Sequence, residues 1–249
     1  MQRQRDVRQA DCVTVTTMSY SVRPASYAEL GTIIHLYLVG FWDDQLMDIL
    51  HPYRHKHQAD FERFVRDMLT ERWWTLGFEE QVDVLITGQG KVIGFAWWRR
   101  NWTDRHRRRE SEGWLTCRRW LSPVVISLIQ LRTRLWPYQC ANPAMVGAEK
   151  RVLPALLPLL RDPPSRQRAW LLRTLVVNPD VQKKGLGTML VRHGLSRADK
   201  EGLTSWLLSR EGLEGWYGRF GFVERGRANI GELSAWNGGA VMFREREPF

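Results

Sequence analysis

An apolar, partly β-branched run (Leu171, Leu172, Leu175, Val176, Val177) stops at Asn178-Pro179, which turns the chain. The step Gly185-Leu186-Gly187 then opens about four turns of helix pattern. Strand, glycine turn and helix N-terminus in that succession make an anion site. The free N–H groups of the first turn converge, and the helix dipole adds partial positive charge at the same place. Gly185 and Gly187 permit positive φ and close backbone approach, while Lys183 and Lys184 add charge. The ligand this implies is a pyrophosphate. The spacing is not the Rossmann Gly-x-Gly-x-x-Gly, and the Gly-Lys-Ser/Thr end of a P-loop is absent. A plainer alternative is a strand-to-helix turn whose glycines only relieve crowding, and the stretch alone leaves both open.

At 249 residues and 43% apolar content, with 13 Trp, the chain has the composition of a globular protein with a sizeable core. The net charge of +10 invites a polyanion, but much of it is local. Arg105, Arg107, Arg108 and Arg109 form one run and three Arg lie in the first eight residues, a pattern of solvated basic segments. No nucleic-acid motif accompanies them, so no nucleic-acid partner is expected. Cys12, Cys117 and Cys140 form neither a metal spacing nor a disulfide framework, which suits a reducing compartment. The N-terminus lacks an apolar h-region, and the apolar stretches Ser122–Leu131 and Val152–Leu160 are too short to span a bilayer. The expectation is a soluble intracellular protein, cytoplasmic or nuclear, with no membrane partner, as a monomer or homodimer.

Residues 1–18 read as a frayed basic leader, and 19–249 as a single domain. A short alternating strand at Tyr20–Arg23 precedes Ser26, a helix cap. Leu30, Ile33, Ile34, Tyr37, Leu38 and Phe41 then have the spacing of a buried helix face, closed by Asp43-Asp44. A second helix is predicted over about Asp60 to Trp73. Between the two, His51, His55 and His57 fall within seven residues, but no carboxylate or cysteine follows at ligand spacing, so this is a solvated turn and no metal is expected. Val82–Thr87 and Val92–Trp98, joined by Gly88-Gln89-Gly90, form a hairpin. Residues 99–168 change character and are too long for a plain loop. With helices within Pro123–Arg134 and near Ala144–Leu160, they read as a helical insertion between the third and fourth strands. Strands at Thr204–Ser209, from Gly221, and at Gly239–Arg244 complete an α/β fold, a mixed sheet with helices on its faces.

Three features together resemble the GCN5-related N-acetyltransferases (GNAT), which use acetyl-CoA. Gln182-Lys183-Lys184-Gly185-Leu186-Gly187 is similar to the family's Gln/Arg-x-x-Gly-x-Gly/Ala loop. Asn178-Pro179 stands four residues ahead of that glutamine, and Tyr217-Gly218-Arg219-Phe220-Gly221-Phe222 resembles the family's Tyr-x-x-x-Gly-Phe segment. The resemblance spans about 20–249 and is clearest from Trp170 to Glu224. The pattern of His51-Pro52-Tyr53-Arg54 after Asp43-Asp44, with Ser209 and Gly212 ahead of Tyr217, is similar to fungal members with unassigned small substrates.

The resemblance implies a GNAT-like acyl-CoA N-acyltransferase fold and these roles. Leu175, Val176 and Val177 lie on a splayed strand whose backbone meets the pantetheine. The amides from Lys183 to Thr188 (Lys183, Lys184, Gly185, Leu186, Gly187, Thr188) cradle the pyrophosphate, with Gln182 contacting it and Ser209 on the cofactor side. A backbone N–H near Val177 meets the developing oxyanion, and Tyr217 is the general acid for the CoA thiolate. Some members carry a Glu eleven residues ahead of the glutamine. Here that position is Leu171. An alkyl amine of pKa near 10.4 is neutral about once in a few thousand molecules at pH 7, a cost of roughly 4–5 kcal/mol. Either Asp43, Asp44, His51, His55 or His57 serves as base, or the acceptor is an arylamine or an amino acid-derived amine of lower pKa.

The family's acceptor site is built from the first two helices and the strands opposite the cofactor. Here those segments carry Trp42, Tyr53, Trp73, Trp74, Trp97 and Trp98, and Trp42, Tyr53 and Trp97 are the substrate contacts expected. Trp97 and Trp98 point to opposite faces of their strand, so at most one lines a given cleft. Neither Cys117 nor Cys140 has the sequence neighbours of an activated nucleophile. The reading is therefore direct acetyl transfer from acetyl-CoA to a small, aromatic or hydrophobic amine. A protein or peptide acetyltransferase, which needs an open groove past the insertion, and a CoA-binding regulator without turnover are the alternatives.

Overall fold

In the computed structural model, which describes residues 19–75, 80–100 and 117–246, seven strands form one mixed sheet. They are β1 (Tyr20–Pro24), β2 (Glu80–Thr87), β3 (Val92–Arg100), β4 (Trp170–Val177), β5 (Ser205–Ser209), β6 (Val223–Arg227) and β7 (Ala240–Arg244). The helices described are α1 (Leu30–Phe41), α2 (Gln45–Leu50), α3 (Gln58–Thr75), α4 (Cys117–Leu135), α5 (Ala148–Arg161), α6 (Leu186–Lys200) and α7 (Glu214–Gly218). The spatial order is β1-β2-β3-β4-β5-β7-β6, and β4–β5 is the one parallel pair. A parallel pair needs a crossover, and the glycine turn feeding α6 supplies it. The leader and the Arg105–Arg109 run lie outside the described residues.

Helices cover both faces of this sheet. On one face α6 buries Leu186, Leu190, Val191, Leu195 and Ala198 against Trp98, Trp170, Leu172 and Leu207. On the other, α1 and α3 bury Ile33, Ile34, Tyr37, Phe61, Val65 and Leu69 against Val84, Phe95, Trp97 and Val176. The α1 stripe follows the spacing read from the sequence, and each aliphatic side chain so buried stabilises the fold by about 1.5–3 kcal/mol. Trp97 and Trp98 do face opposite ways, one into each cluster. Asp43-Asp44 does more than close α1. The Asp44 carboxylate accepts from the Leu46 amide (2.9 Å) and caps α2, a short helix the apolar spacing does not announce.

Between β3 and β4 the insertion runs along α3 and back over the far end of the sheet. Ser122 donates to the Trp74 carbonyl (2.7 Å), the Tyr138 hydroxyl to Asp67 (2.9 Å), and the Cys140 amide to Asp60 (3.1 Å). Helix α5 then lays Val152, Leu156 and Leu160 on a third cluster with Trp206, Phe243, Leu233 and Trp236. Its Pro154 and Pro158 sit on the exposed side, where the carbonyls they leave without a helical partner reach water. No helix among the described residues is long and apolar enough to cross a membrane.

Candidate functional site

The site begins where β4 and β5 part. Trp170, Leu171 and Leu172 pair with Ser205, Trp206 and Leu207, and there the pairing stops, although β4 continues five residues to Val177 alongside β3. The β3–β4 register shifts at Trp97/Trp98, so that Trp97 faces Thr174 while Trp98 faces Leu172. Arg173 is the extra residue, and a bulge there bends the strand away from its parallel neighbour. The Asn178 amide donates to Ile93 on β3 (2.8 Å). By alternation, Leu175 and Val177 turn their backbone groups the other way, into the opening.

The loop that follows is built to present amides. Asn178 accepts from the Asp180 amide (3.0 Å) and Pro179–Val181 make a single 3-10 turn. Lys183 (φ 62°) and Gly185 (φ 75°) are both left-handed, the second as the N-cap of α6. The first helical bond is from Met189 to the Gly185 carbonyl (3.3 Å). None of the six N–H groups from Lys183 to Thr188 has an acceptor among the described residues. Six consecutive free donors at the positive end of a four-turn helix constitute an anion cradle. Beside it Trp216 covers Gly187: a Cβ there would lie 3.5 Å from the indole ring.

Splay and loop open into one cleft of about 1360 Å³. Its walls are β4, the 182–188 loop, α7, the facing sides of α1, α2 and α3, and the apolar side of α5. Tyr217 borders it and is 7% exposed. Burial holds its phenol well above the usual tyrosine range, with Arg210 opposing more weakly, so it stays protonated through neutral pH. Its ring meets Trp216 and Phe222 edge-on, which fixes its direction.

The five proposed bases separate. Asp43, His55 and His57 do not border the cleft. Asp44 does; its second oxygen pairs with Arg210 (2.6 Å), tying the α1–α2 corner to the end of β5. His51 also borders the cleft, packed against Phe61 and Phe64, and burial, helped by Arg54, pushes its pKa down to about 4. It is neutral at physiological pH and only a weak proton acceptor. Its Nδ1 lies 3.6 Å from the Cys140 sulfur, a pairing invisible in the sequence. Burial and Asp60 raise that thiol to about 12, so the Cys–His pair is not an activated nucleophile.

Several expected contacts do not reach the cleft. Trp97 is fully buried, with its indole N–H on Glu80 (2.5 Å) and its ring edge-on to Trp73. Trp42 packs edge-on against His55 and Phe61, and Tyr53 faces outward at 51% exposure. Ser209 is buried and donates to the Arg210 carbonyl (2.9 Å), and Lys184 points outward. The resemblance assigns Gln182 to the pyrophosphate. Here its side-chain amide donates to the Val177 carbonyl (2.9 Å) and closes the loop onto the strand end. Sequence reasoning missed the α5 wall, Trp216, and the guanidiniums of Arg72, Arg99 and Arg173 in the cleft. A lone charged residue in a mostly apolar strand was the signal available for the last.

Residues 151–222, which carry the second half of the cleft from α5 through α7, match the model of the acetyltransferase (GNAT) family. The chain is similar to the GNAT family over that segment. Its fold is the GNAT acyl-CoA N-acyltransferase fold. A crystal structure from Corynebacterium glutamicum, described as histone acetyltransferase HPA2 and related acetyltransferase, is 18% identical, covers 93% of this chain and 98% of that one, and superposes with a TM-score of 0.61. PH1933 from Pyrococcus horikoshii is 15% identical over 93% and 100% of the two chains, with a TM-score of 0.51. At such identities the likeness is one of fold. No curated protein matches the sequence.

Proposed function

We propose that this chain is a GNAT-family, acetyl-CoA-dependent N-acetyltransferase that transfers acetyl directly to a small amine. The observation that carries the reading is the run of six unpartnered amides, Lys183 to Thr188, at the head of a strand opening. A diphosphate-bearing cofactor with a long, amide-containing arm fits both halves: donors for the pyrophosphate, and the Leu175 backbone with the Val177 N–H, which β5 leaves unpaired, for the arm. Acetyl-CoA supplies an activated acyl thioester.

The chain's own residues do the rest. The Leu175 and Val177 backbone orients the arm as an added strand would. The Val177 N–H, held rigidly by the β3 pairing on its other side, meets negative charge developing on the acyl oxygen. Tyr217, protonated and directionally fixed, supplies a proton to the departing thiolate. Asp44 and His51 are the two proposed bases that border the cleft, and Asp44 is already engaged by Arg210 and the α2 cap. With Asp44 so engaged and His51 pushed down to about 4, acceptors whose amine is neutral near pH 7 are favoured.

The test is thiol release from acetyl-CoA with a panel of aryl, amino acid-derived and simple alkyl amines. Amine-dependent release is the expected result. A protein that binds acetyl-CoA and releases no thiol with any amine or peptide would instead be a sensor.

A further inference from the structure

Arg72 from α3, Arg99 from β3 and Arg173 from β4 all face the cleft on the side away from the amide loop. The Arg173 Nη1 donates to Glu80 Oε1 (3.1 Å), and the other Glu80 oxygen is taken by the Trp97 indole. The guanidiniums of Arg72 and Arg99 have no ion-pair or hydrogen-bond partner among the described residues. The one further carboxylate close by is Glu149, exposed on the first turn of α5. Three guanidiniums therefore stand against Glu80 and Glu149, and the cluster is net positive. The repulsion is felt: burial, then Arg72 and Arg99, push Arg173 down to about 10. Like charges brought together on a partly buried wall, two of them unpaired, are the arrangement a planar anion relieves.

We infer that the acceptor is a small amine bearing a carboxylate, and that Arg72, Arg99 and Arg173 bind that carboxylate. This rests on the acetyltransferase reading and names its substrate class. The rise of a strand, about 3.3 Å per residue, puts Arg173 about 7 Å from Leu175 and about 13 Å from Val177. That span suits one small molecule reaching from a carboxylate at the arginines to an amine at the splay. The cluster also bears on the missing base. Arg99 lies opposite Leu171 in the β3–β4 register, where a carboxylate base would stand. Positive charge there disfavours the ammonium form of the acceptor and shifts it toward the free amine.

The experiment compares amines that carry a carboxylate with the same amines as carboxamides, at saturating acetyl-CoA, in wild type and in Arg72→Gln, Arg99→Gln and the double variant. The pairs span short and long amine–carboxylate separations, such as an α-amino acid and an aminobenzoate. The carboxylates are expected to have at least about tenfold higher kcat/KM, the scale of one charge-assisted hydrogen bond. Each variant should raise KM for them about tenfold with kcat changed far less, and Arg99→Lys should recover part of the loss. Equal use of carboxamides, or variants with unchanged KM, would overturn the inference. If no pair turns over, N-acetylated carboxylates and their carboxamides are compared as stabilisers of the CoA complex by thermal shift. Stronger stabilisation by the carboxylates supports the inference, and equal effects overturn it. Wild type and variants should show the same thermal shift with acetyl-CoA alone. Absence of that shift in wild type refutes the acetyltransferase reading itself, so the two failures are distinguishable.

Discussion

At one end of the cleft the donors are six backbone amides from one unbroken stretch, Lys183 to Thr188. At the other they are side chains from three separate elements, Arg72, Arg99 and Arg173. The first end depends on φ values and a helix start, and side-chain identity matters there mainly where a glycine is required. The second end depends on which residues three distant segments place on one wall. A fold can hold the first constant and vary the second, which is how one scaffold accepts different acceptors for one acyl donor.

Substitutions that strike one end and spare the other test this division. The largest effect is expected from Gly187→Leu, whose side chain would have to push past Trp216 or enter the cradle. Acetyl-CoA affinity should fall about 100-fold or more by calorimetry, the worth of two charge-assisted hydrogen bonds, with carboxylate recognition untouched. Next is Tyr217→Phe, expected to lower kcat by about 10- to 100-fold with little change in the KM for acetyl-CoA. Because burial raises that phenol, wild-type activity should show no alkaline limb attributable to Tyr217 below about pH 10. A limb nearer neutrality that vanishes in the Phe variant would refute its role as acid. Arg99→Gln should act on the other end alone, raising the acceptor KM about tenfold and leaving cofactor affinity as it was.

The smallest effect concerns stability. His51 has a folded pKa of about 4, below its unfolded value, so in the unfolded chain it binds a proton before the folded chain does. Its contribution is therefore fully present above about pH 6.5 and is lost as pH falls toward 4. Between pH 8 and pH 6 the loss amounts to about 1 kcal/mol. Denaturant titrations of wild type and His51→Gln at both pH values should differ by that amount. Equal pH dependence in the two would mean His51 is not held neutral by its surroundings.

The same division explains what could be read from the sequence. The amide loop is local: strand, Asn-Pro turn, glycines and helix follow one another, so their geometry is fixed by neighbours along the chain. The hairpin, the α1 stripe and the α6 crossover are legible for the same reason. Trp42, Tyr53 and Trp97 lie off the cleft, and residue type and rough position do not say which side of a strand or corner faces a cavity. Trp97 lies one residue from Trp98 and the two went into different cores. Arg99, Leu171 and Arg173 became neighbours through a register and a bulge that only pairing reveals. The Asp44–Arg210 ion pair and the His51–Cys140 contact likewise join segments that have no periodic relation.

Calorimetric titration with acetyl-CoA, set beside S-acetyl-pantetheine, tests the central claim most directly, because only the first carries the pyrophosphate. Saturable one-to-one binding of acetyl-CoA is predicted, with a stabilisation of about 2.7 kcal/mol at a hundredfold excess over Kd, and at least about 100-fold weaker binding of the truncated thioester. Equal binding of the two, or no binding of acetyl-CoA at millimolar concentration, would contradict the assignment of the 183–188 amides as a pyrophosphate site.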